Sequence, residues 1–260
     1  MKNILSRANI PVLEQFAWSN VMVAFDFDGT LAPIVREPSA AKLRVSTRTR
    51  LTLLAALYPC VVISGRSRND VAMRLAPIRF AAVVGNHGSE YGKGRSQHAN
   101  LVRAWAATLR RQLAGVGGVE IEEKGASIAV HYRKARSRRD AKARIERAIS
   151  LLDGALRLVE GKLVLNVLPE GAPHKGVAVQ QLRGAVGADT AIFVGDDVTD
   201  EDVFSIDEPG RLLSVRVGRS RRSAASYCLA SQRDVDSFLD VLIRCAHERS
   251  LDVDGRSRQE

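Results

Sequence analysis

The chain has 260 residues, 45% of them hydrophobic and 26% charged, a composition that supplies a core for one or two domains and excludes the disordered class. Its formal net charge of +10, from 39 Lys and Arg against 29 Asp and Glu, favours anionic partners over cationic ones without choosing among them. No apolar run approaches the ~18 residues that a membrane span needs, and Met1-Lys2-Asn3-Ile4-Leu5-Ser6-Arg7 has no sustained apolar stretch before a cleavage site, so a cytoplasmic protein with no membrane partner is expected.

In chain order, Val21-Met22-Val23-Ala24-Phe25 is the first short β-prone run, and it stops at Asp26-Phe27-Asp28-Gly29-Thr30, as a buried strand entering a turn does. A helical pattern follows from Ser46 to Leu57. Cys60-Val61-Val62-Ile63 then stops at Ser64-Gly65-Arg66, a second helix spans Ser67 to Leu75, and Phe80-Ala81-Ala82-Val83-Val84 stops at Gly85-Asn86-His87-Gly88. After the middle of the chain, Lys175 to Val186 is helical, and Thr190-Ala191-Ile192-Phe193-Val194 stops at Gly195-Asp196-Asp197. Strands alternating with helices predict an α/β fold with a doubly wound, Rossmann-like parallel sheet, whose ligands bind beyond the carboxyl ends of the strands. Every polar cluster named above falls at that edge.

The middle has another rhythm. Asn100 to Leu113 is helical, Val119 to Glu123 and Ala126 to Tyr132 are strand-like, Arg138 to Leu152 is helical, and Leu156 to Glu160 and Lys162 to Leu168 are two more strands. The order αββαββ predicts an α+β cap inserted into the core, over residues 99–171, with the core formed by 1–98 and 172–260. The tail after about Ser250 is expected to fray. Cys60, Cys228 and Cys245 lack metal-ligand spacing and are expected to be inert core thiols. The basic runs Arg133 to Arg139 and Arg216 to Arg222 have no interleaved aromatics, so solvated faces are expected and no nucleic-acid partner.

Asp26 and Asp28 are two apart at a strand end, so both carboxylates take one face while Phe27 turns to the core. One acid can attack phosphorus and the other can protonate the leaving oxygen and later activate water. The second acidic cluster, Gly195-Asp196-Asp197-Val198-Thr199-Asp200-Glu201-Asp202, would repel itself without a hard cation, and oxygen-only ligands suit Mg²⁺. Ser64 and Lys175 are placed in outline to hold phosphoryl oxygens. A lysine at a helix start gains nothing from the dipole, which argues for an anionic partner there.

Asp26-x-Asp28-Gly29-Thr30, Ser64, Lys175 and Gly195-Asp196-Asp197 resemble the four ordered motifs of the haloacid dehalogenase-like phosphatases. Asp28-Gly29-Thr30-Leu31-Ala32-Pro33-Ile34, Ser64-Gly65-Arg66, Gly85-Asn86-His87-Gly88-Ser89-Glu90 and the run Gly195 to Asp202 are similar to the trehalose-6-phosphate phosphatase branch, over about residues 20 to 245. The resemblance implies a nucleophile at Asp26 and an acid/base at Asp28, with Ser64 and Lys175 on the phosphoryl group. It implies Mg²⁺ on Asp26, the Asp28 carbonyl and Asp196, supported by Asp197 or Asp200. Substrate contacts would come from Thr30, Arg66, Asn86 and His87, and from Glu122, Lys124, Arg133 and Asn166 in the cap, where Glu122-Glu123-Lys124-Gly125 and His131-Tyr132-Arg133 are similar to that branch's substrate-reading segment.

One departure stands out: where the branch usually has Glu, then Arg, before a proline and a glycine, this chain has Asn166-Val167-Leu168-Pro169-Glu170-Gly171. A lower efficiency on trehalose 6-phosphate, or a preference for another sugar phosphate such as sucrose phosphate or a glycosyl-phosphoglycerate, is therefore expected. The other readings are a phosphomutase, which must retain the phosphoryl group, and a non-catalytic sugar-phosphate sensor or polyanion binder, which needs no nucleophile beside an acid. Oligomeric state is not legible.

Overall fold

The computed structural model describes residues 1–35, 37–90, 98–161, 163–206 and 208–256. Its strands and helices, in chain order, are β1 (Lys2–Asn3), α1 (Ile10–Trp18), β2 (Val21–Phe25), α2 (Val45–Leu57), β3 (Cys60–Ile63), α3 (Arg68–Leu75), β4 (Ala82–Val84), α4 (Ala99–Gln112), β5 (Glu120–Glu123), β6 (Ile128–His131), α5 (Arg138–Ile149), β7 (Leu156–Gly161), β8 (Val164–Pro169), α6 (Lys175–Ala185), β9 (Thr190–Gly195), α7 (Glu201–Phe204), β10 (Leu212–Val217), β11 (Tyr227–Leu229) and α8 (Asp234–Arg256). The chain divides into two compact units, Met1–Gly88 with His174–Glu260, and Ser89–Pro173.

The first unit is built on a seven-stranded sheet of order β1-β11-β10-β9-β2-β3-β4, with every neighbouring pair parallel. Strand alternation decides its two cores. Val21, Val23 and Phe25 face a cluster containing Leu13, Leu51, Leu54, Phe238 and Leu242, so α1, α2 and α8 cover that side. Met22 and Ala24 face Ala178, Val179, Leu182 and Val203 of α6 and α7 on the other. A strand buried on both faces reads as the unbroken apolar run seen in β2. β4 begins at Ala82, two residues later than the sequence predicts, and α8 runs on to Arg256, past the expected fraying point.

The second unit holds an antiparallel sheet, β5-β6-β8-β7. Ile128, Val130, Leu165 and Val167 pack on Val102, Trp105, Leu109, Ile145 and Ile149 of α4 and α5. The register then puts Glu122, Ala129, Asn166 and Val159 in one row on the opposite face. Among the described residues no helix is long and apolar enough to cross a membrane.

Candidate active site

Asp26 lies just past β2 and its amide donates to Val194 O at 2.9 Å, extending the ladder to β9. The chain then turns tightly, with Gly29 N on Ala32 O at 2.7 Å and Ala32 N on Phe27 O at 2.8 Å, and Phe27 is buried in the apolar core. Gly29 has φ +83°, and a Cβ there would meet the Asp196 carboxylate at 2.1 Å, so only glycine lets the loops after β2 and β9 approach this closely. Thr30 Oγ1 donates to Asp196 Oδ1 at 3.3 Å, joining the same two loops.

Lys175, the first residue of α6, is almost wholly buried and donates to Asp26 Oδ1 at 2.6 Å and to Asp200 Oδ1 at 2.7 Å. Asp200 also accepts from the Asp196 and Asp197 amides, at 2.8 and 2.9 Å. Each oxygen of Asp200 is thereby bonded, which makes it the brace of the acidic loop. Burial opposes the charge on Lys175, but Asp200 and Asp26 outweigh it and raise its pKa. Burial also raises the Asp26 carboxyl, with Lys175 pulling the other way and Asp200 and Asp196 adding to the rise. Asp196 is pushed up to about 7 by burial and by the neighbouring Asp200 and Asp197. Ligand oxygens of Asp26, Asp196 and Asp200 all lie within 4.8 Å of one another. Such an oxygen-only set, with the carboxyls of Asp26 and Asp196 raised, fits a hard divalent cation. Asp197 stands outside that group; it is exposed and caps the following turn through Val198 N at 2.7 Å.

Ser64 is fully buried at the end of β3, the other neighbour of β2. Its Oγ accepts from Arg66 N at 3.2 Å, and its carbonyl accepts from His87 N at 2.9 Å. Asn86 N donates to Arg66 O at 2.8 Å. Asn86 and His87 both have left-handed backbone, with φ 48° and 57°, a conformation that costs non-glycine residues energy and collects at functional sites. Arg66 makes a two-pronged bond to Asp28, Nε to Oδ2 at 2.6 Å and Nη2 to Oδ1 at 2.7 Å. The first unit thus gathers Asp26, Asp28, Thr30, Ser64, Arg66, Asn86, His87, Lys175, Asp196 and Asp200 on the loops and helix start at one edge of its sheet.

In the second unit, Glu122 and Asn166 share the sheet face away from the helices. Lys124 Nζ is 4.0 Å from Glu122 Oε2. Arg133 follows β6 in a turn. Asn166 is buried and donates to Val159 O at 3.4 Å. Sequence reasoning named His131 only within the His131-Tyr132-Arg133 segment and did not pair it with Glu122, whose Oε2 is 3.0 Å from its Nε2; it assigned no role to Asp70, which accepts from Arg66 Nη1 at 2.9 Å. The four-residue spacing of Arg66 and Asp70 at a helix start was the available signal for the second.

Residues 24–233 match the family model described as Trehalose-phosphatase. Proteins named trehalose-phosphate phosphatase are similar to the chain: one from Mycolicibacterium paratuberculosis is 34% identical over 241 residues, 85% of this chain and 61% of that protein. One from Mycobacterium bovis is 36% identical over 250 residues, 88% of this chain and 63% of that protein. The chain therefore spans about three fifths of the length of these relatives. Among solved structures, the C-terminal domain of the Candida albicans trehalose-6-phosphate phosphatase shares the fold with a TM-score of 0.74 at 23% identity, covering 90% of this chain and 97% of that one. The Aspergillus fumigatus trehalose-6-phosphate phosphatase gives 0.66 at 25% identity, covering 94% and 99%. With more than half its length matched by the family model, the chain belongs to the trehalose-phosphatase family.

Proposed function

We propose that the chain is a Mg²⁺-dependent phosphoric monoester hydrolase that converts trehalose 6-phosphate to trehalose and phosphate through an aspartyl-phosphate on Asp26. The observation that carries this reading is the buried Asp26–Lys175–Asp200 chain, with bonds of 2.6 and 2.7 Å, set two residues before a second carboxylate, Asp28. An Asp26 oxygen bonds to phosphorus as the ester P–O bond breaks, and Asp28 gives its proton to the departing sugar oxygen. Water then attacks the acyl phosphate and loses its proton to Asp28, releasing phosphate and restoring Asp26. Lys175 and Ser64 hold the non-bridging oxygens, where fixed donors act most strongly.

Asp26, the Asp28 carbonyl and Asp196 would hold Mg²⁺, with Asp200 bracing the Asp196 loop and Asp197 capping it. Bound there, the ion would offset the negative charge of phosphoryl group and carboxylates. Thr30, Asn86 and His87 complete the proposed substrate contacts of the first unit, to which Arg66 belongs through Asp28. Glu122, Lys124, Arg133 and Asn166 are the proposed sugar contacts, and the family match supports a sugar phosphate as substrate.

The test is phosphate release from a panel of sugar phosphates by the wild type and by Asp26→Asn. The amide keeps the shape but is a poor nucleophile, so turnover should vanish in a variant that melts as the wild type does. Near-normal release by Asp26→Asn would sink the covalent mechanism. A best substrate other than trehalose 6-phosphate would leave the chemistry standing and reassign the sugar, and a need for a bisphosphate activator would indicate a mutase.

A further inference from the structure

Asp28 is held by a ladder of alternating charge that its catalytic role alone does not require. Both its oxygens accept from Arg66, at 2.6 and 2.7 Å. The remaining arm of that guanidinium donates to Asp70 Oδ2 at 2.9 Å. Asp70 in turn accepts from Arg74 Nε at 3.0 Å, and Arg74 Nη1 is anchored on the carbonyls of Ser39 and Ala41, at 3.0 and 2.6 Å. The guanidinium of Arg66 also lies 5.6 Å from the ring centre of Phe27, the residue between the two aspartates. Its backbone is fixed as well, with N on Ser64 Oγ and O on Asn86 N. Arg66 is therefore constrained from every side, and a two-pronged guanidinium–carboxylate pair fixes the plane of the carboxylate as well as its distance.

Resting on the phosphatase reading above, we propose that Arg66, set in place by Asp70 and Arg74, is a positioning residue for the Asp28 carboxyl: it holds one oxygen while the other leaves the pair, takes up the proton and delivers it to the leaving oxygen. The ladder is half-buried, and whatever it adds to stability, its bearing on the reaction is geometric, because small misplacement of a reacting group is costly in rate. The proton donor matters in proportion to how poor the leaving group is. An alkoxide from a sugar needs the proton as the P–O bond breaks, whereas p-nitrophenolate leaves without it.

The experiment compares kcat/KM for trehalose 6-phosphate and p-nitrophenyl phosphate in the wild type, Asp70→Asn, Arg66→Lys, Asp28→Asn and the double variant Asp28→Asn/Asp70→Asn. This ratio covers only steps up to leaving-group departure, so the later attack of water does not enter. Asp70→Asn should lose about tenfold or more on the sugar ester and less than about threefold on the aryl ester, within the ~10²–10⁴-fold that general acid catalysis supplies, and Arg66→Lys should lose more on the sugar ester than on the aryl ester. The double variant should be no slower on the sugar ester than Asp28→Asn alone, because the ladder acts only through Asp28. Equal losses on both esters, or additive losses in the double variant, would overturn the proposal. Should Asp70→Asn not fold, Arg74→Gln probes the same ladder one step further out, with the same two outcomes. Wild-type inactivity on every ester would overturn the phosphatase reading and this inference with it, whereas turnover with equal losses overturns only the inference.

Discussion

Lys175 shows how a single side chain organises the site. It is the only residue that bonds both the expected nucleophile and the brace of the acidic loop among the described residues. The sequence marked it as a lysine at a helix start, where the dipole is unfavourable and an anionic partner is needed. Its actual partners lie 149 residues before it and 25 after it, and no local pattern specifies pairs at such separations. Replacing Lys175 by Met leaves Asp26 and Asp200 facing each other in a buried pocket. Breaking a buried pair in this way costs ~3–5 kcal/mol, so Lys175→Met should unfold at markedly lower urea than the wild type in metal-free buffer. An unchanged midpoint would show that the two carboxylates do not depend on that cation.

At the scale of elements, the strands ending at Asp26, Ser64 and Asp196 were legible because strands buried on both faces are short unbroken apolar runs. β10 was not, since Arg216 interrupts its run to reach Glu201 Oε1 at 3.1 Å. α3 yields a test through Asp70: burial pushes its carboxyl up, but hydrogen bonds from Arg74 and Arg66 outweigh this and hold it below the usual carboxylate range. A depressed folded-state pKa gives stability that is present above the unfolded value, ~3.9, and is lost as pH falls through the folded value. Asp70→Asn should therefore be less stable than the wild type in urea at pH 7, and the gap should close in acid. A gap independent of pH would mean that packing, not charge, is lost. On β8 the pattern placed Asn166 on a strand, but showed neither the row it shares with Glu122 nor its bond to the neighbouring strand at Val159. Asn166→Glu should raise efficiency on trehalose 6-phosphate relative to other sugar phosphates, by up to about tenfold if one charge-assisted bond is gained. A lower melting point should accompany it, because a carboxylate cannot donate to the Val159 carbonyl. An unchanged substrate ratio in the folded variant would show that Asn166 does not read the sugar.

Over the whole molecule the net charge is +10, yet one edge of the main sheet concentrates Asp26, Asp196 and Asp200 within 4.8 Å. The parallel α/β class was legible from alternation alone, whereas the position of β1 beside β11 was not, because a two-residue strand carries no periodicity. The cation site proposed at this edge predicts that folding stability depends on the ion, which needs no turnover to observe. A ligand that binds only the native state stabilises by ~2.7 kcal/mol at one hundred times its Kd, so Mg²⁺ should raise the melting temperature of the wild type. Asp196→Asn should lose most of that rise. In chelator the order should reverse. Burial and the adjacent Asp200 and Asp197 push the Asp196 carboxyl up to about 7, so its native state holds a proton that the unfolded chain has already released between ~3.9 and 7. Stability falls with rising pH across that window, and an amide, which has no proton to lose, escapes the fall. At pH 8 the expected result is therefore an Asp196→Asn variant that melts above the wild type in chelator and below it in saturating Mg²⁺. Parallel melting of the two proteins under both conditions would show that Asp196 neither binds the ion nor carries an uncompensated charge without it.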